Sequence, residues 1–222
     1  MENITSNTQD YLKTIYELVS EGGEASTTTI AARRGIAPPS VTGMLQRLAA
    51  SKPPLVVYRK GQDVSLTEEG ERRALEVIRH HRLIETFLVE ELGYSWDNVH
   101  EEACRLDHAI SEDLEERIAI RLGNPQRDPH GELIPTRELV IEADESQPLS
   151  SLRPPQRATV VRVRADDEDL LRYLQGLGLT PGAEVEVRGY APFDENLTLS
   201  VGGAEEIVVG SPVSSRIFVE IV

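Results

Sequence analysis

The chain of 222 residues holds one cysteine, Cys104, so an internal disulfide is excluded and a reducing cytosol is the expected compartment. It has no apolar run approaching the ~18 residues that a transmembrane helix needs, so no membrane partner is expected. Met1-Glu2-Asn3-Ile4 lacks a basic region followed by an apolar one, and no secretory signal is expected there. There is no glycine-rich phosphate loop, no His-Glu-x-x-His and no oxyanion-type loop, which argues against a hydrolase. The most telling gap is in the acids. From Ser26 to Gln62 there is no Asp or Glu, although the chain holds 38 of them. That stretch carries Arg33, Arg34, Arg47, Lys52, Arg59 and Lys60, a local charge of +6. With a net charge of −15, the remainder holds −21, so the average hides a basic segment fit for nucleic acid.

What is present is concentrated around the histidines. His100, Cys104, Asp107 and His108 stand at i, i+4, i+7 and i+8, one face of a single helix. His81 and Glu85 form a second i, i+4 pair upstream. Imidazole, thiolate and carboxylate are the donors that a first-row divalent metal takes, and helical spacing aims them at one point. Taken alone, Cys104 is a small apolar filler and His81 with Glu85 a surface pair. His80 faces about 100° away from His81 and reads as solvated. His130 reads as a turn or core residue, and Glu112, Asp113, Glu115 and Glu116 as a solubilising run.

Periodicity gives the order of elements. A helix is expected over 9–21, a short one over 28–34 stopped by Gly35, and another from Pro38-Pro39-Ser40 to about Ala50. Two strands, 55–58 and 63–66, flank the turn Arg59-Lys60-Gly61-Gln62. This is the order of a winged helix-turn-helix. Thr67 caps a helix reaching about Leu92, and Ser95 one running from Trp96 to about Leu122. Two long amphipathic helices suggest a homodimer interface. Residues 124–155 are rich in proline and read as a linker. Five short strands after Ala158, interrupted by a helix over 168–177, suit a small closed barrel. The expected fold class is mainly α with a C-terminal all-β module. The expected domains are 1–73 (winged helix-turn-helix), 74–142 (helical metal and dimerisation domain), 143–157 (linker) and 158–222 (β-barrel).

Four segments resemble the diphtheria-toxin-repressor family of metal-dependent transcription regulators. They are Asp10-Tyr11-Leu12-Lys13-Thr14-Ile15-Tyr16-Glu17-Leu18, Pro39-Ser40-Val41-Thr42, His81-Arg82-Leu83-Ile84-Glu85 and the run from Val99 to His108. The C-terminal segment resembles the SH3-like, FeoA-type module of the longer members. The resemblance covers nearly the whole chain. It implies a primary metal site at Asp10, Cys104, Asp107 and His108, and an ancillary site at His81, Glu85 and His100, with Asp167 and Glu168 as the nearest acidic candidates from the barrel. Two metal ions per subunit follow. The iron branch has Met where this chain has Asp10 and Glu where it has Asp107. The manganese branch has Asp at the first position but usually Glu in place of Cys104. A hard carboxylate at residue 10 favours Mn²⁺, while Cys104 pulls toward Fe²⁺, so Mn²⁺ is expected and Fe²⁺ is the alternative. Lys52-Pro53-Pro54 replaces the family's usual glycine turn before the wing.

The resemblance further implies a cytoplasmic dimeric repressor of metal-uptake genes on a palindromic double-stranded operator, not an enzyme. The helix from Pro39 enters the major groove, with Ser40, Thr42 and Gly43 near the bases. Thr27, Arg47, Arg59 and Lys60 grip phosphate. Two other classes are weighed against this. In an enzyme, either Cys104 and His108 serve as nucleophile and base or a His/carboxylate metal site with an open position hydrolyses a substrate, and both leave the acid-free segment without a purpose. In a winged-helix module with a structural metal, DNA binding is indifferent to metal.

Overall fold

The computed structural model describes residues 5–164, 167–203 and 205–222. The four residues at the start, read above for a secretory signal, lie outside the described residues. Contacts divide the chain into two units. The first runs to His81 and is joined by Pro135–Val140; the second comprises Arg82–Ile134 and Ile141–Val222.

In the first unit α1 spans Ser6–Ser20, its Thr5 cap accepting from the Thr8 amide. Helix α2 spans Thr27–Arg34, capped by the Ser26 hydroxyl and closed by Gly35 at φ 64°, a left-handed end that a side chain resists. Helix α3 spans Pro38–Ala50, with proline in its first turn, where no amide hydrogen is needed. Strands β1 (Val56–Val57) and β2 (Ser65–Leu66) pair antiparallel as the wing. The Val64 amide donates to the Ala25 carbonyl at 3.0 Å, tying the wing to the start of α2. Leu12, Ile15, Ile30, Val41, Leu45 and Val56 fill one core, so the three helices bury a single apolar stripe each.

Helix α4, Glu68–Leu92, starts where the Thr67 hydroxyl accepts from the Gly70 amide, as its spacing predicts. Around its middle Arg79, His80 and His81 are all buried. Three successive residues point 100° apart, so the helix is covered on all sides at that turn, and the expectation of a solvated His80 fails for that reason.

The second unit corrects the expected long helix from Trp96 to Leu122. It is two helices: α5, Val99–Leu106, and α6, Glu112–Arg121. Ser111 caps α6 by accepting from the Leu114 amide, an internal start signal inside an otherwise continuous apolar pattern. Ser95 does not cap α5; its hydroxyl donates to the Asp97 carboxylate. The C-terminal module is a six-stranded antiparallel sheet, ordered β3 (Gln147–Pro148), β8 (Ile217–Ile221), β4 (Arg157–Val163), β5 (Glu184–Ala191), β6 (Asn196–Val201), β7 (Glu206–Val209). Among the described residues β7 and β3 remain its two edges, so no closed barrel is seen. Helix α7, Glu168–Gly176, and the short α8, Ser211–Ser214, complete the module. Half-buried Trp96 packs against its core of Leu149, Val160, Leu174, Leu179, Val187, Leu197 and Val219.

The proline-rich stretch is more structured than its composition suggests. Ile134 donates to Gln126, Asp128 to Glu132, and β3 pairs with β8.

Candidate metal centre

Helix α4 presents Glu85 on a buried face within the second unit, and the turn Asp128-Pro129-His130-Gly131 comes to meet it. Ligand atoms of Glu85, Asp128 and His130 all lie within 4.8 Å of one another, and all three residues are buried. The turn is self-built: the Asp128 carboxylate accepts from the amides of His130 at 2.8 Å and Glu132 at 3.0 Å. Gly131, at φ +87°, permits close approach to β4, where an added Cβ would stand 1.9 Å from the Val161 carbonyl oxygen. Val161 is the extra residue of a bulge in the β4–β8 ladder. The Val163 amide donates to the His130 carbonyl at 2.8 Å.

The electrostatics match that crowding. Burial, and then the charge of Glu85, push the Asp128 carboxyl up to about 6, with His130 and Arg82 pulling the other way. Burial opposes charge on His130, yet the Glu85 carboxylate beside its ring and the charge of Asp128 raise it to about 9. Glu85 and Asp128 bring two carboxylates into one buried space, where His130 and Arg82 offset their repulsion and a divalent ion would do the same. Oxygen, oxygen and nitrogen donors at this spacing fit a first-row divalent ion.

Glu85 faces a second histidine as well. Its Oε1 lies 3.0 Å from His100 Nδ1, while Oε2 lies 3.7 Å from His130 Nδ1. The other nitrogen of His100 lies 3.5 Å from Cys104 Sγ, an exposed thiol. Both residues are on α5, one turn apart. Asp107 closes that helix, its amide donating to the Ala103 carbonyl, and is buried. His108 follows, Nε2 at 3.5 Å from Asp107 Oδ1. Asp10, on α1 in the first unit, is paired with Arg34 at 3.3 Å, and that guanidinium lies over the Tyr11 ring.

The sequence matches the description "Iron dependent repressor, N-terminal DNA binding domain" over residues 3–63. "Iron dependent repressor, metal binding and dimerisation domain" matches 67–136, and "FeoA domain" matches 147–221. The iron-dependent repressor IdeR of Mycobacterium tuberculosis is 32% identical over 232 residues, covering 99% of both chains. The diphtheria toxin repressor of Corynebacterium diphtheriae is 28% identical, over 92% of this chain and 93% of that one. A manganese-dependent transcriptional repressor solved with manganese superposes at a TM-score of 0.88, with 35% identity over 97% of this chain and 100% of its own. ScaR with bound Zn²⁺ gives 0.82, with 34% identity over 97% and 100%.

The chain belongs to the diphtheria-toxin-repressor family. Members of this family are metal-dependent transcriptional repressors and not enzymes. As in the resemblance, the chain carries a DNA-binding module, a metal-binding and dimerisation module and a C-terminal FeoA-type module. No helix among the described residues is long and apolar enough to cross a membrane.

Within this family member, several residues singled out from the sequence have defined local settings. Asp167 caps α7, accepting from the Asp169 amide, and Glu168 pairs with Arg172 at 2.6 Å; neither falls in a donor group among the described residues. On α3 the buried stripe Val41, Met44, Leu45 and Leu48 leaves Pro39, Ser40, Gly43 and Arg47 exposed, with Thr42 half-buried beside them. Gly43 has open space where a Cβ would stand. Arg59 and Lys60 are exposed at the wing turn, and Thr27 is half-buried in the first turn of α2. Arg33 and Arg34 are held by Glu21 and Asp10, so part of the basic segment is neutralised locally.

Sequence reasoning missed Asp128 and placed His130 only as a turn or core residue. The turn is visible in the Asp-Pro-His-Gly order, but its meeting with Glu85 some 45 residues upstream depends on tertiary packing. The one available signal is His130 itself, the fifth histidine in a chain whose other four cluster at 80–108.

Proposed function

We propose that this protein is a dimeric, cytoplasmic repressor of metal-uptake genes, activated by Mn²⁺ and, second to it, Fe²⁺. The observation that carries the proposal is the buried meeting of Glu85, Asp128 and His130 in a chain that also bears a helix-turn-helix with an exposed recognition face. Two metal ions per subunit are assigned. One set comprises Asp10, Cys104, Asp107 and His108. The other is built on Glu85, with His81 one turn earlier on α4 and His100, Asp128 and His130 around the same carboxylate. A bound divalent ion supplies charge neutralisation and a fixed geometry; all selectivity resides in the side chains.

The hard oxygen donors Asp10, Glu85, Asp107 and Asp128 support Mn²⁺. Cys104 in the first set gives the Fe²⁺ alternative its footing, since a thiolate suits a softer ion. Asp10 is the ligand that couples metal to DNA, because it lies on the DNA-binding module. Metal and DNA then raise one another's affinity equally. Ligation of Asp10 draws its carboxylate from Arg34, which joins α1 to α2 of the helix-turn-helix. Leu114 and Ile120, exposed and apolar on α6, support the dimer. Twofold symmetry supports a palindromic operator, with Ser40, Thr42 and Gly43 near the bases.

The test is retention of genomic DNA by chelator-stripped protein to which Mn²⁺, anaerobic Fe²⁺ or Zn²⁺ is added. Retention with Mn²⁺ above that with Fe²⁺, abolished in Asp10→Ala while the dimer persists, is expected. Metal-independent retention overturns the sensor in favour of a structural metal. Full metal activation of Asp10→Ala overturns the coupling role of that residue.

A further inference from the structure

His130 is gripped from two directions inside the second unit. Its carbonyl accepts from the Val163 amide at the end of β4. Its ring Nε2 lies 2.7 Å from the Trp96 carbonyl oxygen. A carbonyl only accepts, so Nε2 carries a hydrogen there, and Nδ1 is the nitrogen left to face Glu85 and Asp128. The Trp96 ring also packs against the imidazole, with centroids 5.7 Å apart.

The turn that supplies this carbonyl is itself held by α7 of the C-terminal module. Trp96 Nε1 donates to Gln175 Oε1 at 3.1 Å. The neighbouring Asp97 carboxylate accepts from Arg172 Nε at 2.9 Å. Arg172 and Gln175 are one turn apart on α7, so two successive residues of the turn are gripped by one helix face. Asp97 is buried, and the Ser95 hydroxyl, Arg172 and its own backbone hold its carboxyl below the usual range. Arg172 is itself braced by its own helix. Its Nη1 meets Asp169 at 2.6 Å and its Nη2 meets Glu168 at 2.6 Å, leaving Nε for Asp97. An isolated surface ion pair contributes little. This one is a fixed fork between a buried carboxylate and two carboxylates of its own helix.

We propose that Arg172 and Gln175 are positioning residues for the metal centre: through the Trp96–Asp97 turn, α7 fixes the tautomer and aim of His130 toward a divalent cation shared with Glu85 and Asp128. The C-terminal module thereby tunes metal affinity through the backbone of another module, by a route separate from donating a ligand. This inference rests on the assignment of Glu85, Asp128 and His130 as metal ligands.

Trp96 is the chain's one tryptophan, so intrinsic emission reports this site alone. Full-length, chelator-stripped protein is titrated with Mn²⁺, following both Trp96 emission and heat. The wild type gives a saturable emission change that His130→Ala removes. Arg172→Ala/Gln175→Ala weakens the Mn²⁺ affinity read at Trp96 by about ten-fold or more, the range for orienting partners of metal ligands. Arg172→Lys, which keeps the charge, loses less. The thermal midpoint of the chelated double variant stays near that of the wild type; if it falls, Gln175→Ala alone carries the comparison, with a smaller loss expected. An unchanged Mn²⁺ affinity in a folded double variant overturns the positioning role and leaves the metal assignment standing. Absence of heat and emission change in the wild type, with Mn²⁺ and with anaerobic Fe²⁺, overturns the assignment itself.

Discussion

Glu85 shows how much one side chain carries. Its two oxygens address two histidines from different elements, His100 on α5 and His130 in the turn after α6. A second carboxylate on α4 serves the helix instead. Glu69 accepts from Arg72 at 2.8 and 2.9 Å and from Arg73 at 2.8 Å. The Arg72 hydrogen bond, then that of Arg73, hold it down at about 2 against an ordinary 4.5. A depressed carboxyl favours the folded state above its ordinary value, and the benefit fades as pH falls toward the folded value. Glu69→Gln is therefore expected to cost about 1 kcal/mol at pH 7, a magnitude set by its partial exposure. The difference from wild type shrinks below pH 4.5 and vanishes near pH 2. Chemical unfolding of both proteins across that interval measures it.

At the scale of elements, the helix-turn-helix is legible in the sequence because its signals are local. Ser26, Gly35 and Pro38-Pro39 punctuate the chain where α2 and α3 begin and end. The break between α5 and α6 is not, since Leu106, Ile110, Leu114 and Ile118 keep an apolar rhythm across it and only Ser111 marks the new start. The i, i+4, i+7, i+8 face supposes one continuous helix, whereas only His100 and Cys104 lie within α5 and Asp107 and His108 stand at and beyond its end. The open sheet is also hidden, because strand count and length do not reveal whether two edges pair. Asp128 is invisible because turn chemistry says how a loop bends and nothing of what it meets. The fit of that turn to the β4 bulge makes a sharp prediction. Gly131→Ala places a Cβ 1.9 Å from the Val161 oxygen and forces a side chain to φ +87°. The loss is expected to be at least about 2 kcal/mol, from backbone strain and displacement of the turn. Thermal unfolding of the metal-free variant, beside a surface control at Gly43, where a Cβ meets open space, reads it.

For the whole molecule the decisive feature is the uneven distribution of charge. Arg47, Arg59 and Lys60 are exposed in a segment without acids, while the chain as a whole stands at −15. Phosphate contacts proposed for these side chains would release counterions, so DNA affinity is expected to fall as salt rises, with a log–log slope of roughly −0.9 per neutralised phosphate. Arg47→Ala and Lys60→Ala each reduce that slope by about one and leave operator preference unaltered; fluorescence anisotropy against salt concentration tests both. Net charge also governs the encounter before any contact forms. A polyanion repels this protein's monopole and attracts its basic pole, so the approaching molecule is turned until the helix-turn-helix leads. The acid-free segment thus acts as a rudder: it biases the orientation of an approaching polyanion before any contact forms, and the bias fades as salt rises.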